Sequence, residues 1–189
     1  MQIPQSDILT TSCLGRVSTN KSATYKFFLL MSILQIHANT GMLNISVWDC
    51  VSRMVPNAWY PIHNFRLSFG KADSLSVIIN ELHRLTQIPI DVSTDEISRG
   101  LKENIGNPQV KQHLRILTNN VPYHFLSPWI PFTSNEDVVA KSSNLETRCP
   151  YSLHDGHKEI SSLWGDYLIE NYEKITKFIE QELRTYLKI

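Results

Sequence analysis

The sequence is poor in the features that mark several common chemistries. Its three cysteines, Cys13, Cys50 and Cys149, are odd in number, far apart and free of any CxxC or Cys/His ligand spacing. That pattern excludes a disulfide framework and a cysteine zinc site, and it predicts reduced thiols in a cytoplasmic protein. The seven glycines are isolated from one another, so there is no glycine-rich phosphate loop. GxSxG and HExxH patterns are missing as well. The most apolar run, Phe27 to Ile36, contains Ser32 and Gln35 and falls well short of the ~20 residues that span a bilayer. Residues 1–20 lack the charged start and apolar block of a signal peptide. No membrane partner is expected. Net charge is also lacking, with 18 Lys/Arg against 18 Asp/Glu.

What is present describes a globular helical chain. At 189 residues, with 42% hydrophobic and 19% charged side chains, there is enough apolar material for one domain with a sizeable core. The balanced charge is unevenly spread. Residues 1–71 carry six basic side chains against Asp7 and Asp49, a surplus of +4 that the remainder reverses. Lys21, Lys26, Arg53, Arg66 and Lys71 are therefore the residues predicted to meet a phosphate backbone, the alternative being a scatter of solvated charges.

Helix signals recur along the chain. ATYKFFLLMSILQIH (23–37) is apolar nearly all round, as in a helix at the centre of a bundle, and Asn39-Thr40-Gly41 ends it. Ser46-x-x-Asp49 has the form of a capping box, and Asp73 can cap a helix through Leu75, Ile78, Ile79 and Leu82. Ser93-x-x-Glu96 opens another helix, and Asn107-Pro108 pairs an N-cap with proline at the first helical position. Two stretches break the pattern: AWYPIHNFRLSFGKAD (58–73), and NNVPYHFLSPWIPF (119–132), with three prolines and four aromatics. Both predict aromatic, proline-pinned connectors that could pack on each other. Residues 133–148 predict a flexible loop. Tyr151 to Ile160 predicts a small β-hairpin turning at Asp155-Gly156, and Ser162 to Leu187 a long C-terminal helix. The expected architecture is a single, mainly α domain of six to seven helices, with two connectors, the hairpin near 150–160 and the long last helix.

Histidines offer the remaining chemistry. His63 and His124 lie in the two connectors, and a polar site could form where these meet; equally, the rings could satisfy irregular backbone carbonyls. His154 and His157 flank the hairpin turn without a third ligand at a recognised metal spacing, so no metal site is expected in this chain.

Four phrases together resemble a known family. SATYKFFLLMSIL (22–34), MVPNAWYPIHNFRLSFGKAD (54–73), VPYHFLSPWI (121–130) and the run from Trp164 to Leu187 are similar, in wording and order, to the N-terminal region of bacterial HNH endonuclease-domain proteins. In that family a helical N-terminal region precedes an HNH nuclease module, whose Asp-His pair and later Asn-containing loop surround a divalent metal. None of His63, His124, His154 or His157 matches that motif, so no catalytic residue is carried over. The resemblance implies that this chain is inactive alone, needs no cofactor itself, and positions or regulates a C-terminal nuclease module while contacting DNA. The divalent metal would belong to that module. A stand-alone module from a shortened gene, binding a protein partner through its apolar connectors, is the alternative. A small enzyme using His63 and His124 as acid and base is a third reading, and it requires those rings to meet.

Overall fold

The computed structural model describes residues 2–17, 24–65, 74–144, 146, 148–154 and 156–187. In chain order the elements are α1 (Thr11–Arg16), α2 (Tyr25–Thr40), β1 (Asn44–Ser46), α3 (Val47–Phe65), α4 (Leu75–Thr86), α5 (Thr94–Glu103), α6 (Pro108–Phe125), α7 (Asn135–Ser142), β2 (Tyr151–His154), β3 (His157–Ile160), α8 (Ser162–Glu170) and α9 (Tyr172–Leu187). The chain is mainly helical with one small antiparallel sheet, in the order β1-β3-β2. Its buried apolar residues form one contiguous cluster running from Ile3 to Leu183. No helix among the described residues is long and apolar enough to cross a membrane.

α2 sits at the centre. Phe27, Phe28, Leu29, Leu30, Ile33 and Leu34 are all buried, and they point to every side of the helix. α3, α6, α8 and α9 pack against it. Its polar positions are provided for: Ser32 Oγ donates to the Phe28 carbonyl at 2.7 Å, and the Asn57 amide of α3 donates to Gln35 Oε1 at 2.9 Å. Gly41 ends the helix at φ +67°, a conformation glycine reaches without strain. Gly165 lets α8 approach closely, because a Cβ there would stand 2.7 Å from Leu43 Cδ2 and 3.0 Å from His37 Nε2.

The two proline-rich stretches depart from expectation. α3 continues through Pro56 and Pro61 as far as Phe65, and α6 continues through Pro122 to Phe125. An interior proline costs about 3 kcal/mol, whereas each large apolar side chain taken out of water contributes ~1.5–3 kcal/mol. Met54, Val55, Trp59 and Ile62 of α3 are all buried, so packing outweighs the lost backbone bonds. The remainder of the first stretch, residues 66–73 with the Asp73 cap, lies outside the described residues. α3 and α6 pack against each other, while the ring contacts of the two stretches differ: Trp59 meets His63 and His83, and Phe125 stacks on Tyr151 at 5.8 Å and on Trp129 at 6.1 Å.

Three further differences concern smaller elements. The expected flexible loop contains α7, whose N-cap Ser134 accepts from Asp137 N–H, whose Val138 is fully buried, and whose Ser142 Oγ accepts from Leu153 N–H at 3.0 Å. The hairpin gains a third strand, since β1 pairs with β3 so that Ile45, Lys158 and Leu153 align across the sheet. The expected last helix divides at Asn171, whose side-chain amide donates to the Tyr167 carbonyl at 3.0 Å and competes with the helical ladder.

The aligned row contains an anomaly. Lys158 is fully buried, its Nζ has no nitrogen or oxygen partner, its polar neighbour is the Cys50 thiol, and the Tyr151 ring centroid is 5.8 Å away. Burial pulls the Lys158 amine below its ordinary 10.5, against the opposing charge and hydrogen bond of the Cys50 thiol and the charge of Asp49, and burial pushes Cys50 above 9.0. In the Lys158 window the unfolded chain holds a proton that the native state sheds, so this group makes stability rise with pH towards 10.5. The raised Cys50 thiol acts in the opposite sense above pH 9. Replacing Lys158 by Met keeps the stem and removes the buried amine. Urea unfolding at pH 7 should show Lys158→Met more stable by ~1–3 kcal/mol, with a flatter dependence as the pH rises towards 10.5. A loss of similar size would mean that the amine has a stabilising partner.

Candidate functional site

Of the five basic residues predicted to meet phosphate, Arg53 is placed at an open groove. α3 begins at a cap in which Ser46 Oγ accepts from Asp49 N–H at 2.9 Å, and this sets the helix so that Arg53 faces α5. α5 is fixed in turn by a capping box, with Ser93 accepting from Glu96 N–H and the Glu96 carboxylate accepting from Ser93 N–H. Together with Thr40 and Met42 at the end of α2, Ser52 and Arg53 of α3 and Arg99 and Lys102 of α5 line a groove of about 690 Å³.

Its cations are loosely held. Arg53 Nη1 lies 3.5 Å from Asp95 Oδ1, a carboxylate that is 91% exposed. Arg99 Nη2 is 3.9 Å from the exposed Glu96. Lys102 has no ion-pair partner among the described residues. Exposed pairs of this kind contribute ~0–1 kcal/mol, so an incoming anion displaces little. Asp49, also on the lining, already accepts from Ser46 Oγ at 2.7 Å. A smaller apolar slot of about 190 Å³ adjoins the groove, sharing Asp49, Ser52 and Lys102 and adding Trp48, Leu101 and Ile105. Trp48 and Ile105 remain exposed at 38% and 40%. Cationic ends beside a reachable indole suit a ligand with phosphates and a stacking ring.

The other predicted residues lie elsewhere. Lys26 is buried at 4% exposure and donates to Ser127 Oγ at 3.0 Å, and burial lowers its pKa. It therefore joins α2 to the turn after α6. Lys21, Arg66 and Lys71 lie outside the described residues. His63 and His124 are not brought together: His63 meets His83 and Trp59, whereas His124 packs on Phe132 with ring centroids 4.2 Å apart. At the hairpin, His154 Nε2 is 2.8 Å from Ser152 Oγ and 3.8 Å from Glu159, while Asp155 lies outside the described residues. Among the described residues no group of three or more His, Cys, Asp or Glu side chains is placed to hold a metal ion.

A second cleft, about 480 Å³, lies between the N-terminal segment and the hairpin. Its polar groups serve the fold: Arg148 donates to the Ile8 carbonyl at 3.0 Å, and the Arg148 carbonyl accepts from Trp164 Nε1 at 3.0 Å.

Of the groove's three cations, sequence reasoning singled out Arg53 and passed over Arg99 and Lys102. The detectable signal was their i, i+3 spacing on a capped helix, which puts both on one face. No protein-family model, curated protein or solved structure matches this chain.

Both flagged histidines titrate low. Burial lowers His63 below 6.5, with His83 adding to the effect, and burial lowers His124, with Lys26 adding. Below 6.5 the unfolded chain binds protons that these rings resist, so stability falls as the pH drops through that window. Urea midpoints at pH 7.5 and 5.5 should differ in the wild type and differ less in His124→Phe; an unchanged difference would remove His124 from the acid response.

Proposed function

We propose that this chain is the non-catalytic N-terminal region of an HNH-type endonuclease, which positions or restrains a nuclease module and contacts DNA along the Arg53–Arg99–Lys102 groove. One observation carries the family part of this reading. The described parts of the four phrases, residues 24–34, 54–65, 121–130 and 164–187, fall on elements that pack together around α2: α2 itself, α3, the end of α6 with its following turn, and α8–α9. Most of their large apolar residues are buried, Trp59 and Trp164 at 0% and 1% exposure, while Tyr60 and Ile169 are exposed at 55% and 43%. Phrases shared because a fold is shared should be dominated by buried positions, whereas phrases shared by chance should not favour them.

The DNA part rests on the groove. Of three cations from two helices, Arg53 and Arg99 sit in weak pairs with exposed carboxylates and can exchange these for a phosphate at small cost, and Lys102 has no pair to break among the described residues. The nearby indole of Trp48 offers a stacking face. The divalent metal of the chemistry belongs to the nuclease module in this reading, and this region contributes placement.

The apolar slot favours the second reading, in which Trp48 and Ile105 receive a protein partner. Salt separates the two. Binding of the purified chain to a DNA duplex should weaken steeply with added salt. The triple variant Arg53→Ala, Arg99→Ala, Lys102→Ala should lower the log–log salt slope by roughly 1 for each phosphate that is no longer neutralised. A salt-insensitive complex with a protein, and no DNA binding, would favour the interaction module. With Mg²⁺ or Mn²⁺ and plasmid DNA, residues 1–189 should leave the plasmid intact; metal-dependent cutting that survives rigorous purification would defeat the non-catalytic reading.

A further inference from the structure

Two histidines far apart in sequence meet at the ends of two helices. His63 is in the last turn of α3 and His83 in the last turn of α4. Their ring centroids are 4.8 Å apart, with the planes inclined at 59°. Trp59 closes one side, edge-on to both, at 4.8 Å from His63 and 5.7 Å from His83.

The corner is built from the chain that follows α4. His83 Nδ1 lies 2.8 Å from the Ile88 carbonyl, and Trp59 Nε1 donates to the next carbonyl, that of Pro89, at 3.3 Å. A carbonyl partner requires the proton on Nδ1, which leaves the lone pair of His83 on Nε2. This is the arrangement in which imidazole is oriented as a metal ligand, its other nitrogen donating to a backbone oxygen. His63 supplies the second observation: its Nε2 is shielded from solvent and has no hydrogen-bond partner. Buried polar atoms are nearly always satisfied, so an orphaned ring nitrogen beside a second, oriented imidazole calls for a ligand.

The spacing can be tested against coordination geometry. Two imidazoles bound to one ion at about 2.1 Å, with N–metal–N angles of about 90–110°, place their ring centroids roughly 4.6–5.3 Å apart. The observed 4.8 Å lies inside that range. Both rings are half-buried, with His63 Nε2 itself shielded from solvent.

We propose that His63 and His83 form a two-imidazole site for a divalent transition-metal ion of the kind that imidazole favours, copper, nickel or zinc, with water completing the coordination. The bound ion satisfies His63 Nε2 and ties the last turn of α3 to the last turn of α4. The site is independent of any metal that a nuclease module would hold.

Calorimetric titration of the full chain with Ni²⁺ and with Zn²⁺ tests this. One site per chain is expected, with affinity falling at least about tenfold in His63→Ala and in His83→Ala, and unchanged in His154→Ala, His157→Ala, which removes the exposed hairpin imidazoles. Paramagnetic broadening by Cu²⁺ in the wild type reads the same site without a variant and should reach the ring protons of His63 and His83 first. Absence of saturable binding, wild-type affinity in folded His63→Ala, or broadening that starts at the hairpin histidines would each overturn the assignment.

Discussion

The structure depends on covering one helix that has no polar face. α2 carries buried Phe, Leu and Ile side chains in every direction, so it has no stable place at a surface and must be enclosed. α3, α6, α8 and α9 provide that enclosure. Once they do, the polar ends of the large aromatics need partners, and each of four finds a backbone carbonyl: Trp59 uses Pro89, Tyr151 uses Pro122, Trp164 uses Arg148 and Tyr167 uses Pro4. These bonds attach irregular segments to the helices and so position the surface features.

That requirement explains which parts of the fold were legible in the sequence. Ends of elements were, because caps are local chemistry: Ser93 with Glu96, Asn107 before Pro108, Ser46 with Asp49, and Gly41 at positive φ all act where the residues predict. Interiors were less so. Pro61 and Pro122 point locally to breaks and Pro56 only to a kink, yet α3 and α6 run on through them, with Trp59 and Phe125 buried. α7 lay hidden in a polar stretch because one buried apolar residue, Val138, and the buried Ser142, which accepts from Leu153 N–H and from the Cys149 thiol, anchor it. The three residues of β1 carry no pattern, and their register comes from β3.

The candidate sites were illegible for a related reason. Arg53 comes from α3, and Arg99 and Lys102 from α5, so the groove exists only after tertiary packing. His63 was visible as a candidate, but its partner is His83, twenty positions on, rather than His124. Lys26 had the composition of a phosphate contact, and the enclosure of α2 turned it inward to Ser127. Charge counted along the chain says nothing about which side chains a central helix will bury.

The proposed nucleic-acid contact lies on α5 and the first turns of α3. Its most direct test is amide chemical-shift mapping of the chain with a short DNA duplex at low salt. The account predicts perturbations concentrated at residues 48–53 and 95–105, fading as salt is added. Shifts confined to the sheet or to α9, or none at saturating duplex, would contradict it.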